Sequence, residues 1–363
     1  MARALELAGR GERGRVSPNP LVGAVVARGE AVIGQGFHTE LGGLHAERVA
    51  LEDCRLRGED PAGAAMFVTL EPCAHEGRQP PCTDAIVAAG IARVVYASDD
   101  PSEKASGRGP GILRDAGIEV EQAAGEQAAA ARLLNQPFRK HARTGRPLVT
   151  LKMACSLDGF VAAASGDSKW ISGEQSRELV HRWRAEVDAV AIGIGTATAD
   201  DPLLTARTGN PVRQPARVVF DSQARLPLDS QLVGTVGEAP LLIVAAPDAP
   251  RARISALEQA GAQIVFAAGE DDTARVATGL TGLGGLGLTS LLLEGGPVLA
   301  GAFAAAGELD ESRLFIAPLL LGGGRPPLWR EGAETVAEAQ RALEMDSERI
   351  GDDVLIRARL REW

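Results

Sequence analysis

Hydrophobic positions in the first hundred residues fall into short, β-branched runs that alternate with helical ones. The runs that predict strands, the first two of them paired as a hairpin, are 22–26, 31–33, 66–70 and 93–96. Helices are predicted between them at 45–57 and 82–89, and Gly90 ends the second. Because strands that alternate with helices build layered folds, this part of the chain is predicted to be an α/β domain.

The same alternation restarts in the second half of the chain. An Ala-, Gln- and Arg-rich stretch from 121 to 142 predicts one helix, which residues 144–147 end, so we predict domains over 1–144 and 147–363. Strands of the second domain are predicted at 148–154, 189–194, 217–221, 240–246, 263–267, 289–293, 313–318 and 353–360. Helices are predicted at 173–185, 250–260, 271–280 and 297–306, with 282–287 as a glycine-rich loop. A second α/β domain with its own sheet follows.

Composition and charge narrow the classes of protein. The 363 residues are 45% hydrophobic and 24% charged, which suits two globular domains at roughly 100 to 200 residues each. The net charge of −10 repels a phosphate backbone, so no nucleic-acid partner is predicted. Arg3 and Glu6 lie where a signal peptide needs apolar residues, and no run approaches the roughly 18 apolar residues of a membrane span. We expect a cytoplasmic protein with no membrane partner.

His45, Glu47, Cys73 and Cys82 carry the strongest chemical signal. One imidazole and two thiols leave a fourth position on Zn²⁺ for water, which is typical of catalytic zinc. Zinc lowers the pKa of bound water toward about 7 and so supplies hydroxide for attack on a ring carbon that carries an amine. Glu47 is predicted to move the proton from that water to the ring nitrogen and to the departing ammonia.

The order of these residues matches zinc deaminases, but the spacing of the cysteines does not. The deaminase signature has His-x-Glu and Pro-Cys-x-x-Cys, whereas here residues 74–81 separate the two cysteines. Taken singly, His45 is compatible with a helix-start histidine that the backbone satisfies, and Cys73 and Cys82 are compatible with buried apolar thiols. Their joint order, with two Pro-Cys steps, favours a catalytic zinc site.

Longer motifs lie on both sides of the predicted boundary. Those of the first half are Pro18-Asn19-Pro20-Leu21-Val22-Gly23, Gly36-Phe37-His38, His45-Ala46-Glu47, Thr69-Leu70-Glu71-Pro72-Cys73-Ala74-His75 and Pro80-Pro81-Cys82. Those of the second half are Leu151-Lys152-Met153-Ala154, Ser156-Leu157-Asp158-Gly159, Ser165-Gly166-Asp167-Ser168-Lys169-Trp170-Ile171, Ala199-Asp200-Asp201-Pro202 and Glu294-Gly295-Gly296-Pro297. Together they resemble the bifunctional riboflavin-biosynthesis deaminase/reductases, a family in which the wide cysteine spacing is a feature.

The resemblance implies a cytidine-deaminase-like domain followed by a dihydrofolate-reductase-like domain. In the first, His45, Cys73 and Cys82 would hold Zn²⁺ and Glu47 would be catalytic. The implied reaction is hydrolytic deamination of 2,5-diamino-6-(5-phosphoribosylamino)pyrimidin-4(3H)-one. The second domain would then reduce the ribosyl group to ribityl with NADPH. We expect a homo-oligomer whose partner molecule is this small phosphoribosylaminopyrimidine.

The resemblance also implies binding residues. The deaminase substrate would contact Asn19, His38, His75 and Arg78. NADPH would contact Ala154, Trp170, Thr196, Asp200, Ser222, Gly296 and Pro297. The reductase substrate would contact Ser168, Arg184, Leu204, Arg207 and Glu294. Two places depart from the family's usual residues, namely Gln79 and the segment Asp100-Pro101-Ser102-Glu103.

From the residues alone, the second half gives weaker signals. The segment after the predicted strand at 189–194 has Thr198 where a dinucleotide fingerprint has Gly or Ala, so no such fingerprint is assigned. Glu294-Gly295-Gly296-Pro297 leaves free N–H groups for a pyrophosphate, or forms a simple tight turn. We hypothesise that one charged residue protonates or polarises the opened sugar during reduction. The candidates are Lys152, Asp200 and Glu294.

Several alternatives stay open at this level. Arg184 and Arg207 suit a phosphate clamp, because guanidinium forks match phosphate oxygens, but they also suit an exposed surface. Asn19 fits a turn between prolines, and Trp170 fits a core. A nucleoside or tRNA-type zinc deaminase fused to an unrelated reductase-like domain would carry the same metal residues. A zinc-stabilised binding module is disfavoured, because only three protein ligands are visible beside Glu47.

Overall fold

Two α/β units make up the chain. The computed structural model describes residues 1–77, 79–103, 105, 107–207, 212–329 and 332–363. Unit 1 comprises Met1–Thr144 and Trp363, and unit 2 comprises Gly145–Glu362. Trp363, which the sequence places in the second domain, groups with unit 1 because its backbone N–H donates to Gln136 Oε1 at 2.8 Å. Among the described residues, no helix combines the length and apolar character needed to cross a bilayer.

Unit 1 is built on a five-stranded sheet in the order β2-β1-β3-β4-β5. Its strands are β1 Gly23–Arg28, β2 Ala31–Phe37, β3 Ala65–Leu70, β4 Arg93–Ser98 and β5 Glu119–Gln122. Strand β1 is antiparallel to β2 and β3, whereas β3, β4 and β5 are parallel. The helices are α1 Ala2–Ala8, α2 Arg13–Val16, α3 Ala46–Arg57, α4 Cys82–Ala88, α5 Arg108–Asp115, α6 Gly125–Leu134 and α7 Gln136–Thr144.

Helix α3 lies close against β2 because a glycine faces it. A Cβ at Gly34 would lie 2.3 Å from Cys54 Sγ and 2.4 Å from the Ala50 carbonyl oxygen, so a larger side chain would push the helix away. The helix begins after His45, its N-cap residue, and Glu47 lies in its first turn. The close packing therefore fixes His45 and Glu47 relative to the sheet.

Unit 2 is built on a nine-stranded sheet in the order β10-β9-β8-β7-β11-β6-β12-β14-β13. The strands are β6 Leu148–Ser156, β7 Ala189–Gly193, β8 Ala216–Phe220, β9 Leu241–Ala245, β10 Gln263–Phe266, β11 Ser290–Leu293, β12 Glu311–Ala317, β13 Glu344–Ile350 and β14 Asp353–Arg359. The seven strands from β10 to β12 are parallel, and β14 and β13 follow antiparallel at the edge. The helices are α8 Glu174–Glu186, α9 Ile194–Asp200, α10 Gln231–Gly234, α11 Arg251–Gln259, α12 Asp272–Gly285 and α13 Pro297–Ala305.

Hydrophobic core covers both faces of the parallel strands. In β7, Val190 and Ile192 belong to one core cluster. Ala189 and Ala191, which alternate with them, belong to a second cluster that contains Phe303. A strand that is buried on both faces has apolar residues at successive positions, which explains the continuous hydrophobic runs in the sequence.

The structure differs from the sequence prediction in several elements. The single helix predicted from 121 to 142 is wrong, since β5 ends at Gln122 and two helices follow. Asn135 separates them, and its side chain pairs with the Leu21 backbone at 2.8 and 2.9 Å. Helix α12 continues to Gly285, inside the predicted loop. Strand β13 was not predicted because six of its seven residues are exposed and most are polar, so it lacks an apolar pattern.

Two candidate active sites

Three separate segments of unit 1 bring the predicted metal ligands together. His45 precedes α3, Cys73 lies in the loop after β3, and Cys82 is the first residue of α4. His45 Nδ1 lies 3.4 Å from Cys73 Sγ and 3.3 Å from Cys82 Sγ. All three ligand atoms lie within 4.8 Å of one another.

This donor set fits one tetrahedral Zn²⁺. Nitrogen and sulfur ligands of tetrahedral zinc lie about 3.5 Å apart, given metal–ligand bonds of about 2.0 and 2.3 Å. The Cys82 backbone N–H donates to Cys73 Sγ at 3.3 Å, which favours a thiolate there. Hydrogen bonds from the Cys82 thiol and from His45 lower the pKa of Cys73 to about 4. The pKa of Cys82 is raised, because its proton is shared with the Cys73 thiolate and because it is buried.

Glu47 is a buried carboxylic acid beside these ligands. Only 4% of the residue is exposed. Burial, and next the negative charge of Cys73, raise the pKa of Glu47 to about 7. A buried acid next to the metal ligands is what the predicted proton shuttle requires.

His38 and Asn19 form a pair next to His45. His38 is only 3% exposed and is therefore a buried histidine. Asn19 Nδ2 donates to His38 Nε2 at 3.1 Å, and His38 Nδ1 therefore donates to the Leu44 carbonyl oxygen at 3.0 Å. Burial lowers the pKa of His38, which keeps the ring neutral. The rings of His38 and His45 meet edge to face at 5.6 Å, so this neutral histidine holds Asn19 near the metal ligands.

The loop between the two cysteines carries the other predicted substrate residues. His75 Nδ1 is buried and has no hydrogen-bond partner among the residues that the structure describes. Arg78 lies outside the described residues. Glu71, two residues before Cys73, is 4% exposed and accepts a hydrogen bond from the Asp100 backbone N–H at 3.5 Å. This contact joins the loop to the segment after β4.

The two places that depart from the family's usual residues, Gln79 and the segment 100–103, both make hydrogen bonds within unit 1. Gln79 Nε2 donates to the Gly42 carbonyl oxygen at 2.9 Å, which ties the cysteine loop to the segment before α3. Asp100 Oδ1 accepts from the Ser102 backbone N–H at 2.8 Å and so forms a local turn. Gln79 therefore holds the cysteine loop, whereas the turn after β4 depends on Asp100 and on the backbone of Ser102.

A cavity of about 980 Å³ opens at the carboxyl ends of the parallel strands of unit 2. This is where open α/β sheets bind ligands. The predicted reductase residues that line it are Lys152, Ala154, Ser168, Trp170, Arg184, Thr196, Asp200, Arg207, Ser222, Glu294, Gly296 and Pro297. Leu204 differs, since it is 3% exposed and packs in the hydrophobic core, whereas Leu203 lines the cavity. Trp170 is 72% exposed, so the core interpretation of this residue is wrong.

One end of a helix in this cavity fits a phosphate group. Helix α13 has Gly296 as its N-cap residue and Pro297 in its first turn. A Cβ at Gly296 would lie 3.3 Å from Thr196 Oγ1, and one at Gly295 would lie 3.1 Å from Leu299 Cδ2. The two glycines therefore allow close packing against Thr196 and Leu299 where the helix begins, and the free N–H groups of its first turn suit a dinucleotide phosphate.

Three partly buried charged side chains, Lys152, Arg184 and Glu294, form a cluster at the cavity wall. Arg184 Nε and Nη2 donate to the two carboxylate oxygens of Glu294 at 2.7 and 2.9 Å, and Arg184 Nη1 donates to the Thr205 carbonyl oxygen at 3.1 Å. Burial opposes ionisation of Glu294, but the Arg184 charge holds its pKa below the usual value. Burial lowers the pKa of Lys152. Most of the Arg184 guanidinium is therefore engaged by Glu294 and Thr205, and only its remaining N–H groups are available to a phosphate.

Other residues that line the cavity were not predicted. His181 lies on helix α8, on the same face as Arg177 and Arg184. The spacing of four and three residues between these positions is visible in the sequence and could have indicated the shared face. Arg225 and Arg275 lie on separate elements, and no local pattern connects them. Only the fold brings them together.

Comparison with known proteins decides the family. The family described as "RibD C-terminal domain" matches residues 147–356, and the "Cytidine and deoxycytidylate deaminase zinc-binding region" matches residues 1–98. The riboflavin biosynthesis protein RibD of Actinobacillus pleuropneumoniae is 38% identical over 98% of this chain and 93% of its own length. The chain belongs to the RibD family.

Solved RibD structures agree with this assignment over both units. Acinetobacter baumannii RibD, form 1, has a TM-score of 0.86 and 36% identity, covering 99% of this chain and 98% of its own. A diaminohydroxyphosphoribosylaminopyrimidine deaminase/5-amino-6-(5-phosphoribosylamino)uracil reductase of Thermotoga maritima has a TM-score of 0.83 and 33% identity, covering 99% and 97%.

These matches confirm the predicted α/β architecture, with a cytidine-deaminase-like domain followed by a dihydrofolate-reductase-like domain. As a RibD-family protein, the chain joins a zinc-binding deaminase domain to a reductase domain in one bifunctional enzyme of riboflavin biosynthesis. The alternative of a deaminase fused to an unrelated reductase is wrong, because the RibD match spans both halves.

Proposed function

We propose that unit 1 deaminates 2,5-diamino-6-(5-phosphoribosylamino)pyrimidin-4(3H)-one and that unit 2 reduces the deaminated product with NADPH. The observation that carries the proposal is the close group of His45, Cys73 and Cys82 beside the buried Glu47. The printed name of the Thermotoga maritima relative gives the same pair of reactions. A homo-oligomeric state and a cytoplasmic location stay predictions from the sequence.

In unit 1, the proposed roles follow from the contacts. His45, Cys73 and Cys82 would hold Zn²⁺, which would supply a hydroxide-like nucleophile at neutral pH. Glu47 accepts the proton of the attacking water and passes it to the ring nitrogen and then to the leaving amine, so that a C–O bond forms, the C–N bond breaks and ammonia departs. Asn19, oriented by His38, keeps its Oδ1 as an acceptor for a substrate amine. His75, whose buried Nδ1 has no hydrogen-bond partner among the described residues, is proposed to bind the pyrimidine or the ribose phosphate, and so is Arg78.

In unit 2, NADPH supplies the hydride. Gly296 and Thr196 are proposed to bind its pyrophosphate at the start of α13. When the ribose ring opens, its C1 accepts the hydride and its ring oxygen accepts a proton. Lys152 is the proposed donor of that proton, because it lines the cavity and because burial favours its release. Glu294, fixed by Arg184, positions Lys152.

The test is Glu47→Gln in the full chain. We expect ammonia release from the diaminopyrimidine nucleotide to fall by about 10²- to 10⁴-fold, the usual contribution of a general acid–base group. Zinc content, measured by elemental analysis, should be unchanged, because Glu47 is not among the ligands. Glu52→Gln, on the same helix with a side chain that is 45% exposed, is the matched control and should keep full activity. Undiminished ammonia release by Glu47→Gln, or active protein without zinc, would contradict the proposal.

A further inference from the structure

The strand order of unit 2 gives a direction to bound NADPH, if the proposed reduction is correct. The start of α13, the proposed pyrophosphate site, lies after β11, and Thr196 follows the adjacent strand β7. On one side of this pair, β6 carries Lys152 and Ala154. On the other side lie β8, β9 and β10, with Ser222 just after β8. A dinucleotide whose pyrophosphate lies in the middle therefore extends one half over each group of strands.

The two halves can be assigned by chemistry. The nicotinamide must meet the substrate, and the partly buried cluster of Lys152, Arg184 and Glu294 lies on the β6 side. The adenosine half must therefore lie over β8, β9 and β10. Part of the cavity wall there is apolar, with Val244 and Ala267 among its lining residues, as an adenine ring requires.

Two arginines line this adenosine end of the cavity. Arg225 comes from the loop after β8, and Arg275 comes from α12. The side chain of Arg225 is 55% exposed, and its Nε lies 3.5 Å from Asp221 Oδ1. Asp221 is fully buried, and its other oxygen accepts the Leu226 backbone N–H at 2.8 Å. Asp221 therefore anchors Arg225 and leaves the guanidinium head free to meet a ligand.

Arg275 also keeps free donors. Its side chain is 25% exposed, and its Nη1 lies 3.3 Å from Asp272 Oδ1, a contact to a carboxylate that is 68% exposed. Within the described part of the chain, the buried Nε of Arg275 has no hydrogen-bond partner. A guanidinium with unused N–H groups at a cavity wall suits a phosphate, whose oxygens match the geometry of the fork.

We propose that Arg225 and Arg275 bind the 2′-phosphate of NADPH and make unit 2 select NADPH over NADH. A cavity that preferred NADH would present a carboxylate to the free ribose 2′-hydroxyl. Of the two acidic residues that line this end, Asp221 is buried beside Arg225, and Asp272 on helix α12 is paired with Arg275. The pair of arginines thus supplies positive charge where only the phosphorylated cofactor carries negative charge.

The test compares nucleotide binding by the full chain and its variants in isothermal titration calorimetry. The ligands are 2′,5′-ADP, which carries the extra phosphate, and 5′-ADP, which does not. We expect Arg225→Ala and Arg275→Ala each to weaken 2′,5′-ADP binding by about 10- to 100-fold, the usual effect of losing hydrogen bonds to a charged group. Binding of 5′-ADP should change by less than about 2-fold. Arg253→Ala, an exposed arginine of α11, is the matched control.

Kinetics give a second readout. In both variants the KM for NADPH should rise while the KM for NADH and the kcat stay near those of the parent. Equal weakening of 2′,5′-ADP and 5′-ADP, or no weakening of either, would overturn the inference. A parent chain that oxidises NADPH but binds 2′,5′-ADP no better than 5′-ADP overturns the inference alone. A parent chain that oxidises neither NADPH nor NADH overturns the proposed reduction as well.

Discussion

At the scale of single residues, Arg184 and Glu294 form an ion pair at the wall of the unit 2 cavity. Their side chains are 12% and 9% exposed and are joined by two hydrogen bonds. Two charges that are this deeply buried depend on the pairing, because an unpaired buried charge loses its hydration without compensation. The pair therefore places a fixed carboxylate beside Lys152.

Removing one partner should be costly. We expect Arg184→Met to lower the free energy of unfolding of unit 2 by about 3–5 kcal/mol, since Glu294 would remain buried without its cation. Urea unfolding followed by circular dichroism measures this change. Arg182→Met, an exposed arginine on the same helix, is the control and should change the free energy by less than about 0.5 kcal/mol. Equal effects of the two substitutions would contradict the importance of the pair.

The same pair gives a pH dependence of known sign. The pKa of Glu294 lies below its usual value of 4.5, so its contribution to stability is present above that pH and is lost as the pH falls below it. The stability difference between the parent and Arg184→Met should therefore be largest near neutrality and shrink below about pH 4.5. A difference that stayed constant on acidification would be inconsistent with an ionised Glu294.

At the scale of elements, the C-terminal end of helix α12 packs against Gly145, the first residue of unit 2. A Cβ at Gly284 would lie 1.8 Å from the Gly145 carbonyl oxygen, so no larger residue fits. The next residue, Gly285, has no heavy atom within 4 Å of such a Cβ. Close packing therefore requires a glycine at position 284, whereas the space around position 285 would accept a side chain.

This difference predicts opposite effects of the same substitution. Gly284→Ala should destabilise unit 2 by about 1–3 kcal/mol, because the backbone at Gly145 must move. Gly285→Ala should be neutral or stabilise it by up to about 1 kcal/mol, because alanine favours the helix. Thermal unfolding of the two variants measures both. Similar melting temperatures would show that Gly284 and Gly145 are not in close contact.

The elements also show how far the sequence predicts the structure. Strands of the parallel sheet were predictable, because burial on both faces leaves uninterrupted apolar runs. Strand β13 was not, because its charged residues are satisfied by pairing with β14, as Arg359 with Glu344. The break between α6 and α7 depends on Asn135 reaching Leu21, more than a hundred residues away in the chain.

The residues of the two sites likewise fall into those that the sequence predicts and those that it does not. The metal residues follow short local motifs, so the sequence is sufficient to identify His45, Glu47, Cys73 and Cys82. The pairing of Asn19 with His38, and the shared cavity wall of Arg225 and Arg275, connect segments that carry no common pattern. Such contacts depend on tertiary packing, which periodicity does not encode.

At the scale of the whole molecule, each unit has its own sheet and its own core. Chelation of zinc should therefore stop ammonia release while reduction of the already deaminated substrate continues, since none of the described residues that line the unit 2 cavity belongs to the metal group. Ammonia release and NADPH oxidation, measured with and without chelator, give the comparison. Zn²⁺ added back should restore the first activity. Loss of both activities on chelation would mean that the two units depend on one metal.

The cavity of unit 2 has a consequence for the order of events in catalysis. It has a volume of about 980 Å³, and its wall includes both the residues proposed to bind the dinucleotide and those proposed to bind the sugar phosphate. The hydride donor and the hydride acceptor can then lie side by side in one cavity, so that the hydride passes directly between them. We therefore expect turnover to pass through a ternary complex, in which the cofactor and the substrate are both bound before the hydride is transferred.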